Sequence, residues 1–168
     1  AHNRPDNRYF LAPGLVLAHG LASVVFLGLA VLFWLRERSR VSTFFYAMTG
    51  YAALSVAIMN ASAVPVTFVW LSLQSVVVVA TAVWFRSRFI IVANFLIYLM
   101  VVICYMVLVM VLVKQESGVS LVFGLVALTS ARILKWQKDR LELKTEFMRN
   151  AYLTSAFVVF PYSFYHMM

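Results

Sequence analysis

The chain has 168 residues, of which 64% are hydrophobic and 12% are charged, and its formal net charge is +8. Soluble domains contain about 25% charged residues, so this composition excludes an ordinary soluble domain and predicts a protein of the lipid bilayer. The Lys and Arg residues fall mainly in turns between apolar runs, which is typical of membrane proteins rather than of nucleic-acid-binding domains. We therefore expect membrane lipids, and no nucleic acid, as partners. The single cysteine, Cys104, excludes an intrachain disulfide.

Six apolar runs are candidates for membrane-spanning helices, each of which needs about 20 mainly apolar residues. We predict an all-α integral membrane protein with one transmembrane domain, 1–168, made of six transmembrane helices. Consecutive helices pair as three hairpin units, about 10–63, 66–113 and 118–168. The runs lie, in chain order, at about 10–35, 43–63, 66–85, 89–113, 118–134 and 151–168.

Three tryptophans recur at almost equal spacing near the ends of alternate runs: Trp34, Trp84 and Trp136, at intervals of 50 and 52 residues. Each is followed within a few residues by Arg or Lys, and eleven residues on by a phenylalanine. A period of this size is typical of repeated supersecondary units. We interpret the chain as three pseudo-repeated hairpins, each an apolar helix, a basic turn and a second apolar helix. Three independent interface anchors are the alternative, because indole is favoured at the membrane–water interface.

Eleven of the fourteen Lys and Arg residues lie in or beside the three turns that follow these tryptophans. The positive-inside rule then predicts that the basic turns are on the inner side and both termini on the outer side. A bacterial inner membrane is the expected location, with the mitochondrial inner membrane as the alternative. The predicted inner-interface anchors are Trp34, Trp84, Trp136, Arg36, Arg86, Arg88 and Arg132.

Two histidines, His19 and His166, are the candidate cofactor ligands. An ionisable side chain within a membrane is costly and suggests a function. Two facing imidazoles could bind a haem axially, and one imidazole could hold the magnesium of a chlorophyll. We favour the structural interpretation, in which His19 bonds a neighbouring helix and His166 lies among headgroups. The cofactor stays open among haem, chlorophyll, a quinone and none.

Two amides lie within apolar runs: Gln74 near the middle of the third run and Asn94 near the start of the fourth. Each can hydrogen-bond across helices for about 0.6–2 kcal/mol, and we favour this structural interpretation over a substrate-binding role for Gln74. In the second run, small residues indicate a packing seam within the bundle or against another subunit. These are Gly50, Ala53, Ala57 and Ala61.

Two stretches resemble known families. The segment WLSLQSVVVVATAVWFRSRFIIVANFLIYL (Trp70–Leu99) is similar to the repeated hairpins of the large bacterial polytopic membrane proteins grouped as DUF2339, a resemblance that implies hairpin architecture and no functional residue. The segment LELKTEFMRN (Leu141–Asn150) looks like the lead-in to the phosphoacceptor helix of sensor histidine kinases, but no histidine follows at the expected place.

No catalytic or metal-binding motif is recognisable in the chain, so we predict no catalytic residue and no metal site. The leading hypothesis is a non-catalytic integral membrane subunit of a larger complex, such as an electron-transfer or photosynthetic complex, with other membrane subunits as partners. A subunit of an enzyme complex is compatible with this hypothesis. The alternatives are a small transporter or channel, and an electron-transfer subunit that binds haem or pigment.

Overall fold

The computed structural model describes residues 13–64, 66–112, 117–136 and 146–167. Of these residues 93% are helical and none is in a strand, which confirms the predicted all-α class. The described residues form six helices: α1 (Pro13–Arg36), α2 (Arg40–Ala61), α3 (Val66–Trp84), α4 (Arg88–Leu112), α5 (Ser117–Trp136) and α6 (Glu146–Met167).

Five of the helices, α1 to α5, are long and apolar enough to cross a membrane. The sixth predicted run forms α6, but this helix does not reach the apolarity of the other five. Its first turns contain Glu146, Arg149 and Asn150, and its apolar residues alternate with Tyr, Ser and Thr. Five of the six predicted runs therefore form helices with the length and apolarity that crossing a membrane requires.

The helices pack as two pairs around a central helix. Helix α1 packs on α2, and α5 packs on α6, while α3 contacts α2, α4 and α5. The ring of Tyr105 on α4 lies 5.5 Å from Phe68 near the start of α3 and 5.1 Å from Phe123 near the start of α5, measured between centroids. Helices α3 and α5 therefore run in the same direction and end at the same end of the bundle.

The first two hairpins turn at the same tripeptide, Arg-Ser-Arg. Arg38 and Arg86 have φ angles of 51° and 50°, a left-handed conformation that costs a non-glycine residue about 1–2 kcal/mol. After α3, the amides of Arg86 and Ser87 donate to the carbonyls of Val83 and Ala82 at 3.1 and 3.0 Å. Glycine is the usual residue in such a helix ending, so both turns keep a positive charge where glycine would fit better.

These two turns define what we call the basic end of the bundle. Trp34 and Phe85 are in edge contact, with centroids 6.0 Å apart, and Phe44 contacts Phe89 at 6.2 Å. These contacts join the end of α1 and the start of α2 to the corresponding parts of α3 and α4. The equivalent connection after α5, residues 137–145, lies outside the described residues, so the three-fold pseudo-repeat stays a prediction.

Burial is uneven across the bundle. Only 11% of the apolar window of α1 is buried inside the protein, against 50% of that of α5. Among the α1 side chains that the structure describes, Ser23 and Ala30 are the buried ones. Helix α1 therefore presents most of its surface outwards.

Helix α1 packs along α2 and approaches it very closely at Gly50. A Cβ atom on Gly50 would lie 2.8 Å from Cγ and 3.1 Å from the backbone nitrogen of Leu27. Tyr46, one turn earlier on α2, stacks on Phe33 with ring centroids 4.9 Å apart. Because backbone atoms of α1 lie against Gly50, a larger residue there can be accommodated only by moving the two helices apart.

We expect Gly50→Ala to lower the free energy of unfolding by about 1–3 kcal/mol, the usual cost of overpacking a tight contact. Gly28→Ala is the matched control, because no atom lies within 4 Å of the Cβ it would add. That variant should be neutral or more stable by up to about 1 kcal/mol, as alanine is the better helix former. Equilibrium unfolding in mixed micelles measures both values, and equal stability of the two variants would contradict the close approach.

Candidate functional site

A small cavity lies between α2, α3 and α4, near the middle of α2 and α3 and in the first half of α4, and its surface is mostly apolar with several polar groups. Its volume is about 80 Å³, which is room for several water molecules at about 10–15 Å³ each. Both amides singled out in the sequence line it. Its polar lining consists of Tyr51, Ser55, Ser72, Gln74, Ser75, Asn94 and Tyr98.

Gln74 connects α3 to α2. Its Nε2 donates to the backbone carbonyl of Tyr51 at 2.9 Å and to Ser55 Oγ at 3.1 Å. The single hydroxyl proton of Ser55 is shared between the Tyr51 carbonyl at 2.9 Å and Gln74 Oε1 at 3.2 Å. One turn away, the hydroxyl of Tyr51 bonds that of Thr81 on α3. Both polar ends of the Gln74 amide are thus used within the protein.

Asn94 connects three helices. Its Nδ2 donates to Ser75 Oγ on α3 at 2.9 Å, to the Ser75 carbonyl at 3.2 Å and to the Tyr152 hydroxyl on α6 at 2.9 Å. Tyr98, one turn further along α4, donates from its hydroxyl to the Phe123 carbonyl on α5 at 2.8 Å. Asn94, Tyr98 and Tyr152 are all buried.

We call these bonds the interhelical network; its residues are Tyr51, Ser55, Gln74, Ser75, Thr81, Asn94, Tyr98, Phe123 and Tyr152. The network connects α2, α3, α4, α5 and α6, whereas α1 joins the bundle by packing on α2. Within hydrocarbon there is no water to satisfy polar groups, so they pair with one another. The arrangement therefore holds helices together and leaves a small polar space beside the bonds.

Sequence reasoning missed the tyrosines of the network. Tyr51, Tyr98 and Tyr152 each lie inside an apolar run, where a phenolic hydroxyl needs a partner. For Tyr51 and Tyr98, a tyrosine far from the ends of a spanning run was the available signal, whereas Tyr152 lies at the start of its run. Their partners were not predictable, because the Tyr98 hydroxyl donates to a backbone carbonyl that any residue could supply, and the partners of Tyr51 and Tyr152 lie on other helices, at Thr81 and Asn94.

Of the two candidate histidine ligands, the structure describes the side chain of His19 alone. His19 is half-buried on α1, which packs on α2, and it does not line the cavity. His166 belongs to the last turn of α6, and its side chain lies outside those that the structure describes. Over the four described stretches, no group of three or more His, Cys, Asp and Glu side chains is placed to hold a metal ion.

The predicted interface anchors occupy different environments. Trp34 is half-buried and contacts the ring of Phe85. Trp84 stacks on the same ring with centroids 5.3 Å apart, so the first two tryptophans both contact Phe85. Trp136 is 80% exposed. The predicted basic anchors, all of them exposed, are Arg36, Arg86, Arg88 and Arg132.

The small residues of α2 do not share one environment. Gly50 and Ala57 are buried, Ala53 is half-buried and Ala61 is exposed. Gly50 faces α1, as its contact with Leu27 demonstrates. The four residues therefore do not all pack against one helix.

Compared with profiles of known protein families, with curated proteins and with solved structures, the chain matches none of them. The fold and the composition define the broad class: an all-α protein whose apolar helices are long enough to cross a membrane. The resemblance to the DUF2339 hairpins stays an interpretation of the sequence.

We expect the Asn94–Tyr152 bond to appear as a coupling energy of about 0.6–2 kcal/mol, the range for interhelical hydrogen bonds in membranes. The test is a double-mutant cycle of Asn94→Leu and Tyr152→Phe, measured by unfolding in mixed micelles. Tyr46→Phe is the matched control, because it also removes one phenolic hydroxyl and its ring packs on α1. The stability changes of Tyr46→Phe and Asn94→Leu should add to within about 0.5 kcal/mol. Equal coupling energies in the two cycles would contradict the proposed role of the Asn94–Tyr152 bond.

Proposed function

We propose that the protein is a non-catalytic integral membrane subunit of a larger membrane complex. The observation that carries this proposal is the exposure of α1, which is apolar along its length yet only 11% buried in its apolar window. A helix that adds so little to its own bundle is suited to packing against another subunit. An electron-transfer or photosynthetic complex remains the expected kind of assembly, by analogy alone.

The composition of the exposed face of α1 supports a protein partner over lipid alone. Gly14 and Gly28 are exposed, and no atom of the protein lies within 4 Å of the Cβ that either lacks. A glycine within a helix costs about 1 kcal/mol relative to alanine, and facing lipid it brings no compensating contact. Small residues allow a second helix to approach closely, as Gly50 already does between α1 and α2.

The interior of the bundle supports a structural role. Helices α1 to α5 contain no Asp or Glu, and the amides of Gln74 and Asn94 are engaged in bonds between helices. Proton-coupled transport and proton relays usually use ionisable side chains inside the membrane. The polar groups that lie deepest here are instead those that hold the bundle together.

For the membrane arrangement we propose six spans in three pseudo-repeated hairpins, with the basic turns on the inner side and both termini outside. The antiparallel packing of α6 along α5 supports a sixth span: Phe160 lies against Gly124, and Arg149 lies beside Arg132 at the other end of the pair. A helix packed along a spanning helix at the same depth crosses the same layer. The excess of Lys and Arg in the turns supports the orientation.

Purification from the native membrane in mild detergent should yield the protein with one or more different membrane proteins in fixed stoichiometry by intact-particle mass spectrometry. Gly28→Trp should reduce the recovered partner at least tenfold, because the indole would fill the space that a partner helix occupies. Leu96→Trp, on an exposed face of α4, is the matched control and should keep the partner. A colourless monomer or homo-oligomer from wild-type membranes would contradict the proposal.

An absorption spectrum of the same fraction tests the pigment alternative. A Soret or chlorophyll band that His19→Ala abolishes would assign His19 as a ligand. A band that survives this change would belong to another subunit or to another residue.

Transport is the second candidate, and one observation favours it: Gln74 and Asn94 line the same cavity. The structural role predicts that Ser55→Cys, in a Cys104→Ser background, resists a charged thiol reagent added to either side of sealed vesicles. Glu37→Cys, in the exposed turn after α1, is the positive control and should react from one side only, which also reports the orientation. Reaction of the Ser55→Cys thiol from both sides would favour transport over the structural role.

A further inference from the structure

The ends of α5 and α6 form a second cavity that no part of the proposed function uses. This groove, which we call the α5–α6 groove, has a volume of about 580 Å³ and is lined by Leu128, Ala131, Arg132, Lys135, Arg149 and Leu153. Among the described residues that line it, three are cations and none is acidic. A pocket of about 300–1,000 Å³ is of the size that binds small ligands.

The groove lies at the basic end of the bundle. Helix α5 runs parallel to α3, so its last two turns lie at the same end as the turn after Trp84. Trp136, which ends α5, is 80% exposed, and exposed indole favours the membrane–water interface. The cations are therefore at the depth of lipid headgroups, while Leu128 and Leu153 lie one to two turns deeper, towards the hydrocarbon.

Arg132, Lys135 and Arg149 line the same groove. Arg132 and Lys135 are three residues apart on α5 and so share one face of the helix. Arg149, in the first turn of α6, is oriented by Asn150, whose Oδ1 accepts from Nη2 at 3.1 Å and from Nε at 3.3 Å.

We propose that the α5–α6 groove binds an anionic phospholipid whose headgroup region carries two phosphate charges. Guanidinium groups match phosphate oxygens in geometry as well as in charge. The three positive charges of Arg132, Lys135 and Arg149 exceed the single negative charge of one phosphodiester. The acyl chains run from the phosphates along Leu128 and Leu153. Basic pockets between spanning helices are suited to such headgroups. The site needs no partner subunit, so it stands or falls independently of the proposed function.

The test measures lipid binding by native mass spectrometry of the full chain from vesicles of phosphatidylcholine with a tenth of cardiolipin, which has two phosphates. Vesicles with a fifth of phosphatidylglycerol carry the same surface charge on single phosphates. We expect retained cardiolipin on the wild type, and at least tenfold less retained phosphatidylglycerol. Equal retention of the two lipids would overturn the two-phosphate site.

The decisive variant is Arg132→Gln/Lys135→Gln/Arg149→Gln, which should bind cardiolipin about a hundredfold more weakly, at about fivefold per cation. Arg36→Gln/Arg38→Gln/Arg40→Gln is the matched control, because it removes three charges from the same end of the bundle and none from the groove. It should keep the wild-type affinity within about threefold. An equal loss in both variants would show attraction by surface charge alone and overturn the proposal.

A thermal melt in phosphatidylcholine alone confirms that each variant folds. If the triple variant fails to fold, the single change Arg132→Gln carries the test, with an expected loss of about fivefold. Arg132→Lys should recover part of that loss, because it restores the charge without the paired donors of guanidinium. An unchanged affinity in Arg132→Gln would overturn the proposal.

Discussion

The rest of the structure depends on the pairing of polar side chains where water is absent. Asn94 has a carboxamide that hydrocarbon cannot solvate, and it donates to Ser75 on one helix and to Tyr152 on another. Leaving a buried polar group without a partner costs about 1–3 kcal/mol, so helices α3, α4 and α6 are confined to the arrangement that satisfies it. Apolar contacts between lipid-like surfaces would not select one arrangement so narrowly, because lipid tails are as apolar as leucine.

The bonds of the interhelical network end at α2, and α1 is attached by a different means. Gly50 allows the backbone of α1 to approach, and Tyr46 stacks on Phe33. Such a contact holds one face of α1 and leaves the other open. A five-helix unit tied by hydrogen bonds, with a sixth helix attached at its side, is the architecture that led us to expect a partner subunit.

The basic end shows that charge placement outweighs local backbone preference. Arg38 and Arg86 adopt left-handed conformations in which glycine would be relaxed. Each of these exposed turns carries a strain of about 1–2 kcal/mol and keeps a positive charge, which supports the proposed placement of the turns on the inner side. Arg132, Lys135 and Arg149 extend the same positive field to the ends of α5 and α6.

The sequence by itself determined the class of the protein and the positions of its helices. Hydropathy predicted them to within a few residues at most ends, because the solvent of a spanning helix is lipid and its length is set by the bilayer. The weak case was α6, which begins at Glu146 rather than near 151 and whose Tyr, Ser and Arg residues lower its apolarity. Only the tertiary structure decided that Gln74 and Asn94 line one cavity, that His19 does not line it, and that Arg132, Lys135 and Arg149 line one groove. These outcomes depend on which helices are neighbours and on their rotation about their own axes, and a nearly uniform apolar pattern carries little information about either.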